Sequence, residues 1–164
     1  MKSCFFIGHR ESSSDILPAL TDAIEEHINE YGVTEFVVGH YGGFDRMATK
    51  AVTEAKKRHP QIVLSLLTPY HPAERPIVPE PGIDRVFYPP GMERVPRRFA
   101  IVRANRYTVD HADHIIACVW YPTGSAWKLV EYACKRERRG LSAVTLLPRD
   151  RPADPDDPGR RASP

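Results

Sequence analysis

The order of apolar and polar positions predicts a chain in which strands and helices alternate. Cys4, Phe5, Phe6 and Ile7 form a short continuous apolar run, stopped by Gly8. From Asp15 onward the apolar spacing becomes three and four. Ile16, Leu20, Ala23, Ile24, His27 and Ile28 then share one helix face. Ser14 or Asp15 can cap that helix, and Gly32 ends it. A second apolar run, residues 36–38, stops at Gly39. Helical spacing returns with Met47, Ala48, Ala51, Val52 and Ala55 and breaks before Pro60. Residues 62–67 read as a third strand. After a proline-rich segment the pattern predicts a helix over 97–111 and a strand over 115–119. A helix over 125–139, closed by Gly140, and a last strand over 143–147 complete the chain.

All five predicted strands are nearly continuous apolar runs, as in a sheet covered on both faces. Alternation of this kind implies right-handed βαβ crossovers and a parallel sheet. The predicted fold class is α/β: a three-layer Rossmann-like fold with a parallel five-stranded sheet, order 3-2-1-4-5, and helices on both faces.

Composition refines the domain organisation. Of the 164 residues, the last 17 carry five Pro, four Asp and four Arg, and nothing aliphatic larger than Ala. Such a segment has no apolar surface to bury, so residues 148–164 are expected to form a disordered tail and 1–147 a single domain. A chain of that length buries roughly 70% of its unfolded surface, enough for one core. Of the 16 prolines, eight lie between Pro69 and Pro96 and five in the tail, which leaves the remaining segments free for regular structure.

The same arithmetic excludes several classes. No run approaches the roughly 20 apolar residues of a membrane helix, so no membrane partner is expected. The N-terminal apolar run is too short for a signal peptide. Cys4, Cys118 and Cys134 show no CxxC spacing, which speaks against a disulfide framework or a zinc knuckle. The expected location is therefore the reducing cytoplasm. A net charge of +2 gives no indication of nucleic-acid binding.

In open parallel sheets, ligands bind at the carboxyl ends of the strands, near the reversal of strand order. Here those ends read Gly8-His9-Arg10, Gly39-His40-Tyr41-Gly42-Gly43-Phe44-Asp45, Thr68-Pro69-Tyr70 and Trp120-Tyr121-Pro122-Thr123-Gly124-Ser125-Ala126. Three glycines in five positions, Gly39, Gly42 and Gly43, let backbone N–H groups approach a ligand just before a helix, whose dipole favours an anion. The same glycines also suit a plain tight turn. The loop lacks G-x-G-x-x-G spacing and a Walker lysine. Asp45, in the first helical turn, either serves the dipole or accepts hydrogen bonds from a ribose. Gly124 and Ser125 open the last helix similarly, with a simple Ser cap as the alternative. On the helix at 97–111, Arg98 and Asn105 share a face and either meet solvent or reach over the crevice. Arg106 and Asp110, at i,i+4, suit an ion pair. His111, Asp113 and His114 carry only a weak metal reading, because a strand begins near His114, and no metal is expected.

Three segments carry a family resemblance. They are Phe6-Ile7-Gly8-His9-Arg10, the loop Gly39 to Asp45 continuing through Arg46-Met47-Ala48, and Arg98-Phe99-Ala100-Ile101-Val102-Arg103-Ala104-Asn105-Arg106-Tyr107 leading to Asp110-His111-Ala112-Asp113. Together they resemble the SLOG superfamily, nearest its YspA/YpsA-like branch, over about residues 1–147. The resemblance implies a Rossmann-like fold with a crevice for nucleotides or nucleotide-derived molecules, and also implies a homodimer. Relatives include the single-stranded DNA binder DprA and the Lonely Guy phosphoribohydrolases. The latter carry Pro-Gly-Gly-x-Gly-Thr followed by a catalytic Glu. Here Pro122-Thr123-Gly124-Ser125-Ala126-Trp127-Lys128 stands at that place, without the double glycine or the acid. That departure counts against phosphoribohydrolase activity and leaves nucleotide binding intact.

The expected function is a cytoplasmic module that binds or senses a nucleotide-like small molecule such as an ADP-ribose or NAD derivative. The expected ligand-binding residues are Gly8, His9, Arg10, Gly39, Gly42, Gly43, Asp45, Tyr70, Arg98, Asn105, Gly124 and Ser125. No catalytic residue is assigned, and no cofactor is expected beyond a bound nucleotide. The alternatives are a hydrolase cutting an N-glycosidic or phosphate bond, with Asp45, His9 and His40 as the rim groups available, and DprA-like DNA binding. The second would need a basic groove with stacking aromatics.

Overall fold

In a computed structural model the structure describes residues 1–39 and 42–148. His40, Tyr41 and all of the expected tail except Pro148 lie outside the described residues.

Six parallel strands form one sheet: β1 (Lys2–Gly8), β2 (Val33–Val38), β3 (Val63–Leu67), β4 (Arg85–Phe87), β5 (His114–Cys118) and β6 (Ala143–Leu146), in the order β4-β3-β2-β1-β5-β6. Among the described residues four α-helices connect them: α1 (Leu17–Asn29), α2 (Gly43–Lys56), α3 (Ala100–His111) and α4 (Gly124–Arg138). The order of the five expected strands is as the sequence predicts. The count is corrected from five to six, because β4 extends the sheet beyond β3.

β4 is held in place by polar contacts. Asp84 Oδ2 accepts the Leu64 N–H at 2.8 Å and an Nζ hydrogen of Lys56 at 2.5 Å. The same ammonium donates to the Gly82 carbonyl at 2.8 Å. Three residues of edge strand between prolines carry no apolar run of their own, so the pattern does not announce them.

The two faces of the sheet follow the alternation of side chains along each strand. Cys4 and Phe6 of β1 point to the side covered by α1 and α2, where they meet Phe36, Leu64, Leu20, Phe44 and Val52. Phe5 and Ile7 point to the other side, with Val37, Ile115 and Ala117, under Ala104, Val130 and Ala133 of α3 and α4. Residues that are central in the sheet are thus apolar on both faces, which is why the strands read as continuous runs.

Helix boundaries match the spacing closely, with two differences. A turn of 3-10 helix at Ser14–Ile16 precedes α1, and its cap is Ser13 instead of Ser14 or Asp15; Ser13 Oγ accepts the Asp15 N–H at 3.3 Å. The expected helix over 97–111 divides into a 3-10 turn, Arg97–Phe99, and α3. Among the described residues no helix is long and apolar enough to cross a membrane.

Candidate functional site

The reversal of strand order at β1 brings three strand ends to one edge. β1 ends at Gly8 between β2, which leads into α2, and β5, which leads into α4. α2 starts at Gly42 as N-cap, and α4 at Thr123. Neither cap position supplies a side-chain hydrogen bond. The first N–H groups of a helix have no intrahelical acceptor, so each start presents donors and the positive end of the helix dipole. In α2 one of these donors is used within the protein: the Gly43 N–H donates to the Arg10 carbonyl at 2.8 Å. Gly124 has φ +90°, in the left-handed region, and so needs glycine for its turn into α4.

A cavity of about 130 Å³ lies between these ends. Its polar wall is Arg10, Asp45, Asn105 and Ser125, with the backbone of Gly8, Gly39 and Gly42; Ile101, Ala126 and Leu129 close the apolar side. Ile101, Asn105, Ser125 and Leu129 also line a second cavity of about 470 Å³ between α3 and α4, where Gly124 is found. Eight of the twelve expected residues therefore border this pair of cavities: Gly8, Arg10, Gly39, Gly42, Asp45, Asn105, Gly124 and Ser125.

Comparison with protein-family models and with curated proteins gives no match.

The remaining four expected residues lie elsewhere. Gly43 stands behind the wall, packed on the β1 loop: a Cβ there would sit 2.7 Å from the Arg10 carbonyl oxygen. Its glycine serves the close approach of two loops. His9 is buried, stacked on Tyr121 with ring centroids 3.7 Å apart, and edge-on to Trp120 at 4.9 Å. The Trp120 N–H donates to His9 Nε2 at 3.3 Å, which requires that nitrogen to be unprotonated. Burial also lowers the imidazole pKa. His9 thus locks the loop after β5 onto the loop after β1. Tyr70 follows β3, which β2 and β1 separate from β5, and the Arg75 guanidinium lies 4.2 Å over its ring. Arg98 folds over Phe99 at 4.8 Å, on the 3-10 turn before α3.

Other candidate groups are engaged separately. The expected Arg106–Asp110 pair does not form. Asp110 instead takes Arg136 at 3.3 Å and the Tyr132 hydroxyl, while Arg106 lies 4.1 Å over the Tyr132 ring. His111 bonds the Tyr107 carbonyl through Nδ1 at 2.8 Å. Asp113 accepts the Ser3 N–H at 2.9 Å, and His114 stacks on Tyr31 at 5.1 Å. The weak metal reading therefore finds these three side chains in three different local structures.

Sequence reasoning passed over Ile101 and Leu129 as cavity walls. Their spacing is that of ordinary core positions, and only the meeting of α3 with α4 turns them toward a cavity. His40, weighed as a rim group, lies outside the described residues.

Chemically, the edge cavity offers one guanidinium, one carboxylate, one carboxamide, a hydroxyl and helix-start N–H groups. Arg10 is exposed and suits a phosphate by bidentate hydrogen bonding. Asp45 is half-buried and can only accept when ionised, which suits hydroxyl groups of a sugar. Asn105 both donates and accepts.

Proposed function

We propose that this chain binds or senses a nucleotide or nucleotide derivative of the ADP-ribose or NAD kind. The observation that carries the reading is the meeting, at one cavity, of two helix starts without side-chain caps, with Arg10 and Asn105 on its wall. In this reading Arg10 and the first turn of α4 take phosphate oxygens. Asp45 takes ribose hydroxyls, and Asn105 reads the remaining polar edge. The position at the carboxyl edge beside the strand-order reversal is where open α/β sheets hold ligands. The resemblance to the SLOG superfamily points the same way. The cysteines Cys4, Cys118 and Cys134 are free, which suits a reducing compartment such as the cytoplasm.

The state of His9 leaves Asp45 as the described rim group that borders the cavity and could serve bond cleavage. A hydrolase needs an acid or base within reach of the scissile bond. His9, on the loop after β1, is buried under Tyr121 with Nε2 occupied by the Trp120 backbone N–H.

The test is calorimetry of the full chain against NAD, ADP-ribose, AMP and cyclic nucleotides, together with mass spectrometry of molecules that co-purify. The expected result is one saturable site for at least one of them. Absence of binding by the whole panel and of any co-purified nucleotide overturns the proposal.

A further inference from the structure

A groove of about 630 Å³ lies beside α4 and the end of the edge strand β6, apart from the cavities described above. Trp120, Trp127, Val130 and Leu146 give it an apolar floor. Leu146 is on the same face of β6 as Val144, which packs on the core, yet it is 51% exposed. Along α4, Trp127, Glu131, Lys135 and Arg138 follow one another at steps of four, four and three, so they form one stripe on the groove. Glu131, Lys135 and Arg138 are exposed, and their charges run negative, positive, positive. From Trp127 to Arg138 the stripe is about 16 Å long, at 1.5 Å per residue.

The chain itself leaves the described residues at this groove. Pro148, the last of them, is part of its lining. It follows the end of β6, at the sheet edge where α4 begins, and so stands at the Trp127 end of the stripe. Residues 149–158, outside the described residues, read Arg-Asp-Arg-Pro-Ala-Asp-Pro-Asp-Asp-Pro. Pro152, Pro155 and Pro158 recur every third position, and so do Arg151, Asp154 and Asp157. Three is the repeat of the polyproline II helix, in which each such trio shares a face. The charges of Arg151, Asp154 and Asp157 run positive, negative, negative, opposite to those of the stripe. At about 3.1 Å per residue, Asp154 falls about 19 Å beyond Pro148, at the basic end of the stripe.

We propose that residues 149–158 lie along this groove as a polyproline II segment, with Arg151 toward Glu131 and with Asp154 and Asp157 toward Lys135 and Arg138. Such docking takes the place of the disorder expected for these residues. It needs no aliphatic side chain, because proline-rich segments seat on aromatic-lined surfaces and, being extended beforehand, lose little entropy. Tethering at Pro148 supplies an effective concentration on the order of millimolar, so surface ion pairs that are weak singly suffice. The segment meets the same indole, Trp120, that His9 meets edge-on at 4.9 Å.

Trp120 and Trp127 are the two tryptophans of the chain, so intrinsic fluorescence reads the groove directly. The experiment measures acrylamide quenching on the full chain for four proteins, with folding checked by circular dichroism. They are wild type, Asp154→Lys with Asp157→Lys, Lys135→Glu with Arg138→Glu, and all four substitutions together. Each pair of substitutions is expected to raise the quenching constant by at least about half, by shifting the population away from the docked state. The fourfold variant, with both charge patterns reversed, is expected to return to near the wild-type value. An unchanged constant in the Asp154→Lys, Asp157→Lys variant overturns the proposal, and so does a fourfold variant that stays raised. A wild-type constant that changes on dilution of the protein places the segment on a second copy and overturns docking within one chain.

Discussion

The backbone N–H of Gly43 donates to the carbonyl of Arg10 at 2.8 Å, and so fastens the start of α2 to the loop that follows β1. This bond joins the two strand ends that form the site. It also changes the role of the glycine. Its amide is already used inside the protein, so the glycine-rich loop works by letting the Arg10 loop come close.

Replacing Gly43 with Ala therefore tests packing more than ligand clash. Its φ is not in the left-handed region, so the backbone itself accepts a side chain. Alanine also gains up to about 1 kcal/mol of helix propensity. Against this, the new Cβ would stand 2.7 Å from the Arg10 carbonyl oxygen, which is backbone and hard to move. Overpacking costs about 1–3 kcal/mol, so the clash outweighs the propensity. Urea denaturation should show a lower midpoint for Gly43→Ala. An unchanged midpoint would mean that the two loops separate without cost.

Arg10 and Arg98 should behave differently, although in sequence both are arginines at the expected rim. Arg10 borders the cavity, while Arg98 lies over Phe99 outside it. Arg10→Ala should weaken nucleotide binding by roughly 1.5–3 kcal/mol, the worth of a charge-assisted hydrogen bond. Arg98→Ala should leave affinity within about 0.5 kcal/mol of wild type. Calorimetry on both variants decides; a larger loss for Arg98→Ala would place the ligand over the 3-10 turn.

The contrast between these arginines shows where sequence reasoning reached and where it stopped. A single helix over 97–111 would put Arg98 and Asn105 on one face. Residues 97–99 instead form a 3-10 turn, with three residues per turn in place of 3.6, and Arg98 lies over Phe99 while Asn105 lines the cavity. Strands buried on both faces were legible because burial demands unbroken apolar runs, as at Cys4–Ile7 and Ile115–Ala117. Edge strand β4 was not, because its Val86 is exposed and its anchor is a polar network around Asp84. Arg10, Asp45 and Ser125 were legible from topology, since strand ends at an order reversal must share one edge; Asn105, inside α3, was raised only from its helix face. The stacking that withdraws His9 depends on the path of the Trp120–Tyr121 loop, which no periodicity records.

Cys4 and Cys118 lie in the adjacent strands β1 and β5 and are 0% and 2% exposed. Burial raises both thiol pKa values, that of Cys118 to about 11. A thiol reagent at pH 8 should leave both unlabelled in the native protein and modify them only after denaturant is added. Mass spectrometry of the labelled peptides reads this directly. There is also a linked effect on stability. Below the ordinary thiol value of 9.0 both states keep the proton, and as pH rises toward 11 the unfolded chain loses it first. Stability should therefore fall across that interval.

Acid should destabilise the fold in two separable steps. Burial lowers the pKa of His9 and is the largest influence on His114, where Lys2 adds to the lowering and Asp113 opposes it. His114 also stacks on Tyr31 and meets the His27 ring edge-on at 5.2 Å, so its surroundings hold little water to solvate a cation. For a base whose folded pKa is depressed, the unfolded chain takes up the proton first. The stabilising contribution is thus present above the ordinary imidazole value of 6.5 and is lost as pH falls through the lowered folded value. Glu25 acts in a lower window. The hydrogen bond from Arg58 leads in holding its carboxyl below the ordinary 4.5, so its contribution is lost only under stronger acid. Urea denaturation should accordingly show a falling midpoint between pH 7 and pH 5, before the carboxylates protonate. His114→Phe keeps a ring on Tyr31 and removes one titrating group, so it should flatten that slope, whatever its effect on stability at neutral pH. Retention of the full slope in the folded variant would show that the proton uptake belongs to another group. A rise of the wild-type midpoint between pH 7 and pH 5 would reverse the sign assigned to these two imidazoles.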